Sequence, residues 1–444
     1  ESGASVKYQT QKLPDANLLW SPRLGFNWDV FGDRSTQVRG GTGIFTGSPP
    51  YVWISNQIGQ NGILTGFEQL NNTTARPFNP NPTTYMPKSV NGTPAASYEL
   101  NFTDADYKFP QLWRTNVAVD QKLPYGFTGT LEFLYGKDVN GAYYINANLP
   151  AAQAAFTGAD TRPRWTNARI NPNITAAYVL KNQDVGYSYS IGGSLERSFS
   201  VGFFMKAGYN YGVARNTIDP GSIAGGSYTG NAMAGDPNNP GVGYAFTSPG
   251  HRSFLAATYR REYFKMGATA ISIFAERFTL GNTSYTFSGD LNGDGGTSND
   301  LIYVPRGVSE MNFEQFTSGT RTFTAAEQAA AWDQFIAQDP YLKTRRGKYA
   351  ERGAVFLPQA LRADMSITQD LFRDLGGKRN TLQLRMDILN VGNLINKDWG
   401  LGERLVTNTP LIARPVGSDG KALYRLRNIG TNLISKTYEQ TVGI

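Results

Sequence analysis

The stretch Asp290 to Pro305 reads DLNGDGGTSNDLIYVP. Asp290, Asn292 and Asp294 alternate and Gly295 follows, which is the first half of a D-x-[DN]-x-[DN]-G calcium loop. Oxygen side chains at alternate positions around a tight glycine turn can converge on one hard cation. Such a loop carries a bidentate Glu at its last position, where this chain has Leu301; Asp300, one residue earlier, can substitute. Two readings stay open: a structural Ca2+ held by Asp290, Asn292, Asp294 and Asp300, or Asx turns without a metal, because Asp, Asn and Gly favour turns in any case. Elsewhere the residues offer little chemistry. There is no Cys, so thiolate nucleophiles, disulfides and Cys-ligated metals are excluded. The single His, His251, has no convincing carboxylate partner and belongs to no motif, and a lone His in a polar strand usually serves as a hydrogen-bonding residue. No phosphate loop, metalloprotease motif or nucleophile elbow is present. The chain is read as a non-enzyme.

Two further loop features have a physical signature. Thr324 and Glu327 form a capping box ahead of an Ala-rich run, with Trp332, Phe335 and Ile336 at helical spacing. This predicts a helix folded over its neighbours or offered to a partner. Lys343, Arg345, Arg346, Lys348 and Arg352 then form a basic cluster. Such a cluster either holds the phosphates of lipopolysaccharide or another acidic ligand, or is a solvated loop with internal salt bridges. The segment Asn71 to Pro94 is rich in Asn, Pro and Thr and carries no chemical signal.

The elements that must position these loops are strands. In TLQLRMDILN, Leu382, Leu384, Met386 and Ile388 alternate with Gln383, Arg385 and Asp387. A period of two means one apolar and one polar face. The same alternation recurs about ten times, in pairs, often over ten to fourteen residues, well beyond the usual strand of about five to six. Links within pairs are short. Links between pairs are long, at about 46–109, 137–184, 215–250, 279–357 and 391–435. A transmembrane antiparallel β-barrel alternates short periplasmic turns with long extracellular loops in this way. Apolar faces gather aromatics near strand ends, at Trp28, Tyr135, Tyr187, Tyr211, Tyr259 and Phe278, as membrane girdles do.

With the apolar face in lipid, the polar face must look inward. Arg23, Asp29, Arg114, Asp120, Glu132, Arg362, Asp364, Arg385 and Asp387 are expected to line the lumen. A charge on the lipid side at mid-membrane costs about 2–4 kcal/mol. Both signs are present, which suits a wall against which a plug packs better than a one-sign ion filter.

Composition agrees. The 444 residues are 17% charged with a net charge of +7. Mean hydropathy is −0.38. No apolar run of about 18 residues exists, so no transmembrane helix is expected. No dense Lys/Arg tract accompanies the net charge, so nucleic acid is not an expected partner.

Four stretches are familiar together: SPRLGFNWDVFGD at Ser21 to Asp33, VRGGTGIFTGSPPYVWISNQ at Val38 to Gln57, NDLIYVP at Asn299 to Pro305, and LQLRMDILNVGNLINKDWG at Leu382 to Gly400. They resemble Oar-like TonB-dependent outer-membrane receptors. The resemblance implies a bacterial outer-membrane barrel of about 22 strands with an N-terminal plug. It also implies a TonB box, often a small carboxypeptidase-regulatory-like sandwich domain ahead of the plug, and uptake driven by the proton motive force through TonB. No plug or TonB box precedes Glu1, and the end YEQTVGI lacks the aromatic-terminated strand of such barrels. About ten strands is close to half of such a barrel. Residues 1–444 are therefore expected to be its C-terminal part, with the other half and the plug elsewhere in the working molecule. Expected partners are outer-membrane lipid and lipopolysaccharide, the plug and TonB, and an extracellular ligand such as a peptide or protein. The rival on the same barrel is an adhesin or protein-organising receptor with little transport. Two others, a complete ten-stranded barrel enzyme and a soluble glycan-binding sandwich, lack a catalytic cluster and a reason for the loop alternation.

Overall fold

The computed structural model describes residues 6–62, 74–86, 98–263, 267–372 and 380–441. Ten strands form the main path of one antiparallel sheet: β1 Arg23–Asp29, β2 Thr36–Thr46, β3 Gln111–Leu123, β4 Phe127–Asp138, β5 Tyr187–Ser198, β6 Phe203–Asn216, β7 Gly250–Tyr263, β8 Gly267–Thr279, β9 Gln359–Phe372 and β10 Leu382–Ile388, and the short strand Gly243–Tyr244 adds to the end of β6. Each pairs with its neighbour in the chain, from β1 to β10, so the sheet is a meander with no crossover. Short and long connections alternate throughout, and every long connection leaves from the same end of the sheet. The turn after β3 is tight: Tyr125 and Gly126 both adopt positive φ, at 63° and 77°. Of the turn expected at Asp370 to Lys378, the first three residues continue β9 and the rest lie outside the described residues, as do those opening the strand at Phe264 and parts of Asn71 to Pro94.

The two faces of the sheet differ as the alternation requires. Leu24, Phe26, Trp28, Leu131, Phe133, Ile191, Leu255, Ile271, Leu384 and Met386 form one continuous apolar face, and all are exposed. Leu24 is 74% accessible and Leu131 60%. Water would not tolerate an apolar surface this broad on a monomer; a bilayer is its natural solvent. Phe278 corrects one expectation. It pairs with Arg252 and Ala360, in register with the charged residues, and so belongs to the polar face rather than the aromatic rim.

The packed core lies in the long connections, not under the sheet. The α-helices are α1 Val52–Gly59, α2 Ala224–Thr229 and the 14-residue α3 Ala325–Gln338, which buries Trp332, Phe335 and Ile336 among Tyr285, Phe287, Ile302, Val304, Leu411 and Leu426. Its N-cap is Thr324, whose side chain accepts from the Glu327 N–H at 3.2 Å. A second cluster sets Tyr178, Leu180, Tyr144, Ile218 and Tyr228 against Trp53 and Ile54 of the helix Val52–Gly59. It rests on a three-stranded sheet in which Ile174–Gln183 pairs parallel to Tyr98–Thr103 and antiparallel to Gly141–Asn146. The long connections thus fold together into a structured layer at one end of the barrel strands.

Candidate functional sites on the sheet face and in the loop layer

Strand registers carry all nine charged residues expected on the polar face onto one face. Arg23 lies opposite Gly43, which lies opposite Arg114. Gln37 lies between Asp29 and Asp120, and Glu132 between Ala118 and Gly192. Arg362 faces Glu276, Asp364 faces Phe274, and Asp387 and Arg385 face Ser366 and Thr368. Charges of opposite sign pair along this wall. Arg39 donates to Asp120 at 2.9 Å, and the Thr130 hydroxyl donates to the same carboxylate at 2.7 Å. Glu276 accepts from Arg252 at 2.7 Å and from Arg362 at 3.3 Å. Arg260 reaches Asp370 at 2.7 Å, and Arg385 reaches Asp387 at 3.0 Å. Asp29 differs: its carboxylate accepts from the Gly32 and Arg34 N–H groups and closes the turn after β1.

The same face also carries apolar rings. Phe254 and Phe274 stack with centroids 6.1 Å apart. Phe254 lies over Gly208, where a Cβ would come within 2.6 Å of its ring. A glycine is required there because the ring crosses the neighbouring strand.

In the loop layer, Arg162 is enclosed completely. It pairs with Asp160 at 2.9 Å and Asp300 at 3.3 Å, and donates to the Leu301 carbonyl at 2.7 Å. Its guanidinium lies 5.4 Å from the Phe287 ring centre and 5.2 Å from that of Tyr349. Burial opposes its charge, but Asp160 and Asp300 outweigh that and hold its pKa above the ordinary arginine value. Burial lifts the Asp300 carboxyl to about 7, with Arg162 pulling it down and Asp294 and Asp290 adding to the rise. Burial also raises Asp294, reinforced by Asp290.

These neighbours are the proposed calcium residues, and their oxygens already have partners. Asp290 accepts from the Gly293 and Gly295 N–H groups at 2.6 and 2.9 Å. Asn292 Oδ1 accepts from the Asp294 N–H, and Asp294 Oδ1 from the Gly296 N–H. Asp300 accepts from the Leu291 N–H at 2.8 Å and from Arg162. Among the described residues no group of three or more His, Cys, Asp or Glu side chains is placed to hold a metal ion. The geometry is that of interlocked Asx turns.

The basic cluster is largely engaged within the layer. Arg345 pairs with Glu351 at 3.0 Å, Arg346 with Asp333 at 2.7 Å, and Arg352 with Asp219 at 3.1 Å. His251 Nδ1 lies 2.6 Å from the Tyr209 hydroxyl on the apolar face, close to the Tyr211 ring. That places it among the aromatic side chains of the apolar face.

Two features had no signal in the sequence. One is Arg162, whose partners Asp300 and Leu301 lie far along the chain. The other is a cavity of about 870 Å3 bounded by four separate segments, with Trp53, Asp219, Phe246, Asn282 and Arg352 on its wall.

Comparison with known proteins gives the frame for these sites. No curated protein matches the chain in sequence. Among solved structures, the outer membrane transporter YddB from Escherichia coli is similar at 10% identity and a TM-score of 0.41, over 95% of this chain and 39% of that one. A mutant ferric enterobactin receptor, PfeA, from Pseudomonas aeruginosa is similar at 9% identity and 0.38, over 84% and 35%. The siderophore receptor PirA from Acinetobacter baumannii is similar at 9% and 0.35, over 83% and 41%. The chain thus spans well under half the length of each. The outer membrane beta barrel domain family matches residues 3–398, nearly the whole antiparallel sheet and its loops, and the chain belongs to that family of the bacterial outer membrane.

Proposed function

We propose that this chain is part of an Oar-like, TonB-dependent outer-membrane transporter that takes up a bulky ligand through a plugged barrel. The observation that carries this reading is the polar face. Charged residues of both signs share it, and Arg252, Glu276 and Arg362 form a paired network along it. A mixed, hydrogen-bonding wall suits a packed plug better than an ion-selective pore. The sheet also presents two edges, β1 and β10, that do not pair with each other. Unpaired edges are not stable in hydrocarbon, so in this proposal further strands and the plug complete the molecule. Lipid surrounds the apolar face, lipopolysaccharide meets the outer rim, and TonB acts through the plug.

The chain has no cysteine, so a single introduced one reports cleanly. In native outer membranes, cysteine at Arg114 should cross-link to plug sequence and resist water-soluble maleimides until TonB is energised. Free labelling with no cross-link, whatever the state of TonB, would defeat the transporter reading. The packed loop layer favours a second reading, an adhesin or protein-organising receptor on the same barrel. That reading predicts an activity unchanged by loss of TonB.

A further inference from the structure

The three-stranded sheet of the loop layer forms one wall of a second cavity, of about 340 Å3. Its register sets Glu99 beside Ala176, and Asn101 and Asn146 on either side of Tyr178. Glu99 and Tyr178 therefore project from the same face, one pleat apart. A Cβ at Gly225 of α2 would come to 3.0 Å from both the Glu99 carboxylate and the Tyr178 ring, so the two groups are close neighbours. The turn at 290–295 adds Asp290 and Asp294 to the wall.

The wall is negative. Its charged side chains are Glu99, Asp290, Asp294 and Arg169. Arg169 is exposed at the mouth, donates to the Pro172 carbonyl at 3.4 Å, and pairs with none of the three acids among the described residues. Asp290 and Asp294 accept from amide groups alone. Glu99 accepts from the Asn101 amide at 3.2 Å on one oxygen, and the other is open. Neutral donors leave three carboxylate charges in place. Burial raises the Glu99 pKa, opposed only by that one hydrogen bond.

Tyr178 points to the ligand independently of this charge. It is 5% accessible, and its hydroxyl has no hydrogen-bond partner among the described residues. The hydroxyls of Tyr107 and Tyr144 are also without partners but are sealed inside the core. That of Tyr178 opens on the cavity, in the field of Glu99 and Asp294. The Tyr228 ring packs on that of Tyr178 with centroids 5.1 Å apart, and both rings line the cavity. A nearly buried hydroxyl with no protein partner is satisfied by a ligand that brings one.

Among the described residues no three acidic side chains gather closely enough to hold one metal ion. The acids of this wall are spread around the cavity, which suits a cation with extent and with N–H donors of its own. A guanidinium is planar, carries five donors in a fixed fork and stacks on aromatic faces. Its edge can serve the open oxygen of Glu99 and the Tyr178 hydroxyl together, with the tyrosine rings beside it. The volume lies at the lower end for a ligand site and admits one such side chain.

We propose that this cavity binds the guanidinium group of an arginine side chain carried by a peptide ligand. An anionic ligand would meet three like charges, and a neutral one would leave them uncompensated. The inference deepens the transporter reading by naming one group that its cargo carries, and it rests on that reading for uptake alone.

The test is calorimetric titration of the detergent-extracted native protein with N-acetyl-argininamide. The controls are its uncharged isostere N-acetyl-citrullinamide, N-acetyl-lysinamide and calcium chloride. Saturable binding of the arginine probe is expected, with none of the citrulline probe. Glu99→Gln should weaken it about tenfold and Tyr178→Phe severalfold. Arg169→Gln, at an exposed position, removes the like charge at the mouth and should tighten binding severalfold, a gain that a folding defect cannot produce. No binding of the arginine probe, equal binding of the citrulline probe or stronger binding of the lysine probe overturns the proposal. So does Ca2+ binding that Glu99→Gln abolishes and the arginine probe does not displace. Arginine-probe binding in a protein whose cells show no TonB-dependent accumulation of an arginine-containing peptide would remove the import reading and leave the cavity assignment standing.

Discussion

Arg162 and Asp300 are 138 residues apart in the sequence and meet at 3.3 Å with both side chains wholly enclosed. Together with Asp160 they tie the connection after β4 to the connection after β8. Removing one member of a buried pair leaves an uncompensated charge, which typically costs about 3–5 kcal/mol. Arg162→Met should therefore loosen the loop layer by about that amount. The double variant Arg162→Met/Asp300→Asn should recover part of the loss. Limited proteolysis of membrane-embedded protein reads this directly, and a single variant as resistant as the parent would refute the clamp.

Protonation should act on the same cluster. Asp300 is lifted to about 7 by burial, with Asp294 and Asp290 adding to the rise and Arg162 opposing it. A carboxyl whose folded value exceeds its unfolded value of about 4 holds its proton more tightly in the fold. Its stabilisation is fully present below the unfolded value and is lost as pH rises through about 7. The loop layer should therefore melt at a lower temperature at pH 8 than at pH 5.5. A layer that is more stable at pH 8 would show that Asp300 titrates in the opposite sense.

The assignment of faces makes a paired prediction. Leu131 lies on the apolar face, while Thr130 next to it lies opposite Asp120 on the polar one. Leu131→Lys should cost about 2–4 kcal/mol if it sits near the membrane midplane. Thr130→Lys should be tolerated beside the Asp120 carboxylate. Folding into liposomes, followed by heat-modified gel mobility, compares the two. Equal effects would mean that the lipid face is wrongly assigned.

Helix α3 offers a local check. Its cap bond from Glu327 N–H to Thr324 should be worth about 1 kcal/mol, lost in Thr324→Ala. Trp332 is fully buried in the loop core, and Trp332→Ala should cost about 3–5 kcal/mol. Both losses should register in protease resistance of the loops while the barrel signal in circular dichroism persists.

The membrane strands were legible because lipid and the polar interior place opposite demands on successive residues. Leu382 to Ile388 shows this without any tertiary information. Phe278 was misplaced because residue type at a strand end was weighed over parity, and the register sets it beside Arg252. The strand Ile174–Gln183 went unread for the converse reason. Ala176 through Leu180 are all buried, so no alternation betrays them. The capping box of α3 is a contiguous local signal and was readable. Arg162, Asn282 and the cavity wall are assembled from distant segments, and no local pattern encodes such a meeting. In the Asp290 loop the same residues and the same Asx turns serve either a cation site or a bare turn, so the local pattern does not separate the two.

A core built from the connections after β4, β8 and β10 has a consequence for biogenesis. The connection after β8 supplies most of it, and residues from the other two complete it. Phe156, Trp332 and Leu426 come from three different connections, so all three must have been translocated before the core can close. Membrane insertion must then precede surface maturation, with the external segments passing across as unfolded chain. Protease resistance around Trp332 would serve as a clock for the end of assembly, running after the strands have already acquired their hydrogen bonds.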